Sequence, residues 1–232
     1  MEEKEIKSSS EIIRSINKIY SHFKIPPWLQ MHMLRVSSVA NLICDNLDNQ
    51  PVNTNDAVAA TMLHDLGNII KIDLKTSSAI MGVEAVRLSY WETVKAETIA
   101  KYGNNEHIAT VAMAKEIGAT PRVIYLIESI GVSKIKEVEA GGDLERKICS
   151  YADLRVGPFG VLSLEGRFAD FLERYKIRHT TLSQEQFENA FSIALQMEKE
   201  IISSTSLTAE QINDKSIAPY IRKYAKTPNQ QE

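Results

Sequence analysis

The hydrophobic residues of the chain recur mainly at the three- and four-residue spacing of an α-helix. The first stretch with this spacing covers 10–23. We expect that helix to end near Lys24, because prolines follow at 26 and 27 and proline disfavours helix in the residue before it. Proline also suits the first turn of a helix, so the pattern predicts a second helix from Pro26 or Pro27 to Leu47.

A third helix is expected from an N-cap at Asn53 or Thr54 to a C-terminal glycine, Gly67, and it is apolar almost all round. Further helical patterns cover 83–102, 105–117, 121–130, 133–140, 144–156, 163–175, 183–203, 208–213 and 217–224. Strand-like alternation is not convincing anywhere in the sequence. The chain is therefore predicted to be all-α.

The length of 232 residues fits one large helical domain. We divide it into an N-terminal helix in 1–25, a helical core in 26–160, C-terminal helices in 161–225 that pack on the core, and a polar tail in 226–232. The C-terminal helices either shape a pocket or form the face of a homodimer. The helical bundle is thus expected to have additional C-terminal helices outside its core.

Composition narrows the classes of function. Hydrophobic residues make up 44% and charged residues 25% of the chain, as in ordinary globular proteins. The net charge of -3 argues against an extended nucleic-acid surface, so any phosphate group must be bound in a local pocket. Two distant cysteines and no apolar run of about 20 residues predict a cytoplasmic protein with no membrane segment.

The pair His64-Asp65 is the strongest chemical anomaly. It lies at the end of an otherwise apolar helix, where burial of a carboxylate is costly unless a cation compensates it. A negative charge near a helix C-terminus is also unfavourable, since the free carbonyl groups there carry partial negative charge. A metal ion or an arginine near Asp65 would remove both penalties.

Two further polar residues fall on apolar helix faces. His32 shares its face with valines and an isoleucine, and alone it would be read as a hydrogen-bonded core histidine. Asp153 faces the same side of its helix as Cys149, and a salt bridge to Arg146 or Arg155 would explain it equally well. Neither residue identifies a metal site by itself.

The order of these residues resembles a known signature. His32, the adjacent pair in LHDLGN and Asp153 in SYADLRVG follow the H…HD…D pattern of the HD superfamily of metal-dependent phosphohydrolases. The resemblance implies that His32, His64, Asp65 and Asp153 hold one divalent ion, and such ligands suit Mn, Fe, Ni, Co or Zn. It also suggests that Asp65 contacts the attacking water and accepts its proton.

The resemblance extends to His107, at the start of a later helix, which resembles a recurrent family histidine that touches the scissile phosphate or recruits a second metal. We expect His107 to contact substrate and to take part in catalysis. The other expected substrate contacts are Arg35, Asn68, Lys101 and Arg155. Many relatives have lysine at the position of Asn68, including the cyclic-di-GMP phosphodiesterases, so that branch is disfavoured.

Together these features predict a metal-dependent phosphohydrolase that cleaves a phosphomonoester or phosphodiester, such as a nucleotide, with metal-activated water. The expected partner is therefore a small, nucleotide-like phosphorylated molecule. One alternative is a di-iron oxygenase of the same fold, although the few histidines argue against two metals. The other alternative is a regulatory or ligand-binding domain without catalysis.

Overall fold

The computed structural model describes residues 6–48, 51–178 and 183–225 of the chain, and within these ranges its regular elements are all helical. The predicted all-α fold is confirmed. The α-helices are α1 Ser9–Arg14, α2 Ile16–His22, α3 Pro27–Asp45, α4 Thr54–Leu63, α5 Ser78–Met81, α6 Leu88–Tyr102, α7 Glu106–Glu116, α8 Pro121–Ile127, α9 Ile135–Ala140, α10 Leu144–Leu154, α11 Leu164–Arg178, α12 Gln184–Ser203 and α13 Asp214–Ala225. Single 3₁₀ turns lie at Asn68–Ile70, Gly82–Arg87, Val132–Lys134 and Ala209–Gln211.

The first predicted helix is split in two. Ser15 separates α1 from α2 with φ −101° and ψ 10°, and its hydroxyl bonds the carbonyl of Glu11. Serine competes for backbone hydrogen bonds in this way, which weakens a helix interior. The break leaves Tyr20 buried on α2, where its hydroxyl donates to the carbonyl of Met62 at 2.8 Å.

The helix predicted over 83–102 begins later than expected, at Leu88. The residues before it form the short helix α5 and a 3₁₀ turn. Val83 and Val86 are 87% and 90% exposed there, and Ala85 between them is only partly buried against the core. Helices in proteins gain most of their stability from packing, and residues 83–87 have little of it.

Helices α3, α4 and α10 pack against one another and form the centre of the molecule. These three helices carry the largest share of the fully buried residues. The residues include Met33, Val36, Val39, Ile43, Ala57, Ala59, Ala60, Met62, Leu63, Ile148, Cys149 and Ala152. Each of the three helices also carries, or directly precedes, a candidate metal ligand. The centre of the fold therefore brings together residues that are distant in sequence.

The C-terminal helices pack on this centre. Helix α12 contacts α9, α10 and α11, and α13 lies against α3, where the hydroxyl of Tyr224 bonds the side chain of Asn41. The polar tail 226–232 and His179 lie outside the described residues. The described part of 161–225 is thus in contact with the core.

A bilayer-spanning helix is not found among the described residues, because none is both long and apolar enough. The two cysteines, Cys44 and Cys149, are free thiols in the core. Burial raises the pKa of Cys44 to about 12, and it raises the pKa of Cys149 as well. Both side chains are therefore neutral core residues at physiological pH.

Candidate metal centre

His32 is placed by α3, the long helix that starts at Pro27. Its apolar neighbours bind α3 to α4 and α10, which fixes the direction of the imidazole. The side chain is 14% exposed, so one side of the ring faces solvent. This partial exposure leaves an entrance to the site.

His64 and Asp65 directly follow α4 and occupy the turn that leads to the 3₁₀ turn Asn68–Ile70. His64 is the C-cap residue of α4, one step beyond the last helical turn in which the sequence placed it. Its side chain is 3% exposed and that of Asp65 is 15% exposed. The apolar helix α4 thus places an imidazole and a carboxylate in the interior of the protein.

Asp153 lies in the last turn of α10 and meets both imidazoles. Its Oδ1 is 3.2 Å from Nε2 of His32 and 3.4 Å from Nε2 of His64. Donor atoms of these three residues all lie within 4.8 Å of one another. The carboxylate oxygens of Asp65 complete the cluster, at 3.6 Å from Nε2 of His32 and 3.6 Å from Nε2 of His64.

The salt-bridge explanation of Asp153 does not hold. Arg146 pairs with Glu137 at 2.7 Å, and Arg155 pairs with Glu198 at 3.2 Å. Among the described residues, the charged partners of Asp153 are the two imidazoles. The four predicted ligands therefore face one another, and the arginines nearby in sequence do not compensate Asp153.

The hydrogen bonds of His64 test whether the cluster suits a metal ion. Its Nδ1 lies 2.8 Å from the carbonyl oxygen of Thr61, so Nδ1 carries the proton and donates it. Nε2 is therefore directed into the cluster, where it is buried, has no hydrogen-bond partner in the described structure and lies 3.4 Å from Oδ1 of Asp153. A carbonyl behind one ring nitrogen and a bare, buried second nitrogen are the usual surroundings of a metal-binding histidine.

Without a metal ion, the electrostatics favour a proton on Nε2 of His64. Burial lowers the pKa of His64, but the negative charges of Asp65 and Asp153 outweigh burial and raise the pKa to about 9. Burial likewise raises the pKa of Asp153, yet the imidazoles of His32 and His64 beside it hold that pKa well below its usual range. Asp153 thus stays ionised and attracts positive charge, a proton or a metal ion, into a buried space. Imidazole nitrogens and carboxylate oxygens in this combination fit a divalent transition metal.

A model of the HD domain family matches residues 29–154, which is more than half of the chain and includes all four clustered residues. The chain belongs to the HD domain family. Neither the curated proteins nor the solved structures provide a match to it. The match supports a metal-dependent centre of the HD type, whereas the metal and the substrate are left open.

Two residues outside the signature support the turn formed by residues 64–67, which we call the HD turn. The amide of Asn68 donates to Oδ2 of Asp65, and Asn68 is buried, so it orients the carboxylate. Tyr20 lies beneath the turn, where burial, and then the charge of Asp65, raise the pKa of its hydroxyl well above the usual value. The expected contact of Asn68 with substrate stays a prediction. Its observed contact is with Asp65.

Gly67 lets α7 pack directly on the HD turn. Its N–H donates to Oγ1 of Thr110 at 2.9 Å, and that hydroxyl donates in turn to the carbonyl of Glu106. A Cβ at position 67 would lie 2.5 Å from the carbonyl oxygen of Glu106 and 2.9 Å from the backbone nitrogen of Thr110. Sequence reasoning identified Gly67 only as a helix end and missed Thr110.

We expect Gly67→Ala to destabilise the protein, since the obstructing atoms belong to the backbone of α7 and cannot rotate away. Overpacking of this kind costs about 1–3 kcal/mol. Gly142→Ala is the matched control, because a Cβ there meets nothing within 4 Å. Urea unfolding of both variants measures the difference. Equal stability of the two would show that α7 does not constrain the HD turn.

His107 lies in the first turn of this same helix α7 and is half-buried. Its imidazole has neither a hydrogen bond nor an ion pair with the residues that the structure describes. Because α7 packs on Gly67, two residues after Asp65, the helix carrying His107 borders the HD turn. The role of His107 in catalysis stays a prediction.

Arg35 is partly buried and lies three residues after His32 on α3. Residues three apart in a helix share a face, so its side chain lies on the same side as His32. Its Nη1 donates to the carbonyl of Pro158 at 3.3 Å, and within the described ranges it has no ion pair with a carboxylate. The guanidinium retains donors for an anion.

Arg155 does not have the position expected of a substrate ligand. Nε donates to the carbonyl of Leu162 at 2.6 Å, and Nη2 donates at 3.0 Å to the carbonyls of Ala209 and Ile212. Nη1 donates to the hydroxyl of Tyr151 and to Glu198 at 3.2 Å. These bonds use all five N–H groups of a guanidinium that is 3% exposed. The predicted role in substrate binding is replaced by a structural one.

Lys101 is also placed differently from the expectation. Its ammonium group donates to Glu116 at 3.0 Å and is 57% exposed. Glu116 follows His107 by nine residues on α7, a rise of about 13 Å along the helix. The charge of Lys101 thus lies toward the end of α7 opposite to His107. Nearness in sequence did not produce nearness in the fold.

Proposed function

We propose that this HD domain is a metal-dependent phosphohydrolase that cleaves a phosphomonoester or phosphodiester. The observation that carries the proposal is the Nε2 of His64, which is buried between the carboxylates of Asp65 and Asp153 without a hydrogen-bond partner in the described structure, while Nδ1 is fixed by Thr61. A structural histidine at 3% exposure would use both nitrogens in hydrogen bonds. Nε2 of His64 instead faces two carboxylates, and it would become a metal ligand when a metal ion displaces its proton.

Membership of the HD domain family supports hydrolysis of a phosphate ester as the reaction. The imidazole and carboxylate groups of the cluster support a divalent metal ion as the cofactor. His32, His64, Asp65 and Asp153 would hold one divalent ion, with Mn, Fe, Ni, Co and Zn as candidates. Bound there, such an ion lowers the pKa of water and neutralises charge on a phosphoryl oxygen. The partial exposure of His32 and Asp65, at 14% and 15%, leaves one side of the centre open to substrate.

The residues around the ion would supply the proton acceptor and the contacts to the phosphate. Asp65 is oriented by the amide of Asn68, which leaves its other oxygen free to accept the proton of the attacking water. Arg35 would bind the phosphate, because it lies one turn after His32 and holds a charge without a carboxylate partner in the described structure. His107 would assist from the first turn of α7.

The proposal is tested with the purified full chain. We expect about one divalent ion per chain by elemental analysis, and hydrolysis of at least one member of a panel of phosphate esters, nucleotides and cyclic dinucleotides. Asp65→Ala should abolish this hydrolysis. Bound metal without turnover of any ester would overturn the enzymatic function. More than one iron per chain with oxygen uptake would instead support the oxygenase alternative.

A further inference from the structure

Phe159 is 70% exposed at the tip of a tight turn that follows α10. The turn is closed by a hydrogen bond from Gly157 N–H to the carbonyl of Gly160 at 2.8 Å. Val156 and Val161 pair across its base. The backbone that carries Phe159 is therefore held in place, and its aromatic ring is accessible for contact.

The turn is anchored from two sides. The carbonyl of Arg155 accepts the N–H of Leu162 at 2.7 Å, and Nε of Arg155 donates back to the carbonyl of Leu162. On the other side, Oδ1 of Asp214 accepts the N–H of Val161 at 3.2 Å. Gly160 fits closely against this carboxylate, since a Cβ there would lie 2.6 Å from Oδ2 of Asp214. The ring is therefore presented by a rigid backbone.

The turn also borders the phosphate-binding residue that we proposed. Nη1 of Arg35 donates to the carbonyl of Pro158, the residue directly before Phe159. Side chains in a helix lean toward its N-terminus, so the guanidinium of Arg35 reaches from α3 toward the turn that carries His32. Arg35 thus shares a helix face with the candidate metal ligand His32 and contacts the turn with the exposed ring.

We propose that Phe159 and Arg35 together form a nucleotide subsite, in which Arg35 binds the phosphate and Phe159 stacks on the base. The inference rests on the proposed function and specifies its substrate class as a phosphate ester with a planar ring. Stacking on an aromatic side chain accepts any base, because every base has a π-face. Hydrogen bonds that distinguish one base from another are not part of the proposal.

Equilibrium binding tests the subsite without catalysis. The probes are phosphonate analogues of adenosine 5′-monophosphate and ribose 5-phosphate, in which a CH₂ group replaces the ester oxygen. Titration calorimetry on the metal-loaded full chain should show tighter binding of the adenosine probe. We expect Phe159→Ala to weaken its binding by about tenfold, as loss of a stacked base does, and to leave ribose-probe binding unchanged. Phe159→Trp should retain both affinities.

Two other variants complete the design. Arg35→Met should weaken both probes, because both carry the phosphonate. Ile6→Ala is the matched control for an exposed apolar side chain, at 66% exposure and next to Lys7, which bonds the carbonyl of Gly118 beyond the far end of α7. Equal affinity of the wild type and Phe159→Ala for the adenosine probe would overturn the inference, as would equal losses for both probes. Absence of ester turnover would overturn the proposed function alone.

Discussion

Replacing His64 with alanine is expected to empty the metal centre and abolish hydrolysis. The substitution removes Nε2, a buried candidate ligand atom that the contact of Nδ1 with Thr61 directs into the cluster. Removing an outer partner of a metal ligand alone costs about 10- to 100-fold in metal affinity or activity. Loss of the ligand itself should exceed this range, so metal content should fall from about one ion per chain to near zero.

The matched control for this prediction is His22→Ala. His22 is 61% exposed and faces Glu116 at 3.5 Å, outside the cluster. Elemental analysis after gel filtration gives the metal content of both variants, and circular dichroism checks that the helices persist. Retention of about one ion per chain by the folded His64→Ala variant would exclude His64 as a ligand. Metal loss in His22→Ala would show that the assay reports stability and not coordination.

The residues of the candidate metal centre could be predicted because the anomaly at each position is local. An aspartate after an apolar helix, a histidine on an apolar stripe and an inward aspartate are all visible in the sequence, and the order H…HD…D connects them. The structure adds spatial contacts that the sequence pattern does not show. It shows that α3, α4 and α10 converge and that Thr61 fixes the tautomer of His64.

The wrong expectations have a common cause, since they took sequence neighbours as spatial neighbours. Arg155 is two residues after Asp153, but residues two apart lie on nearly opposite sides of a helix. The guanidinium therefore points away from the cluster and into the contact with the C-terminal helices. Its partners in that region, Glu198, Ala209 and Ile212, lie 43 to 57 positions later in the chain. A local sequence pattern does not reveal such distant partners.

The supporting residues were missed for the same reason. Tyr20 and Thr110 meet the HD turn from α2 and α7, and each reads in the sequence as an ordinary residue of a helix. The helix break at Ser15 is different, because serine inside a helix is a visible signal, although a weak one. Long-range contacts, and not local propensity, account for most of what the sequence left undetermined.

Arg155→Met is expected to cause the largest loss of stability among the substitutions considered. The side chain is 3% exposed and joins α10 to Glu198 on α12 and to the carbonyls of Ala209 and Ile212. Methionine fills much of the same volume but leaves the charge of Glu198 without its cation and the carbonyls of Ala209 and Ile212 without their donor. Breaking a buried ion pair costs about 3–5 kcal/mol, because one charge remains uncompensated.

For a chain of this size, that cost lowers the midpoint of thermal unfolding by about 6–20 °C. The measurement is made in EDTA, so that loss of metal binding cannot contribute to the shift. Arg222→Met on the exposed side of α13 is the control, and surface changes of this kind stay within about 0.5 kcal/mol. If Arg155→Met unfolded within a degree of the control, the network would not hold the C-terminal helices to the core. Since Arg155 also anchors the turn that carries Phe159, a large loss would show that one side chain holds both this turn and the C-terminal helices in place.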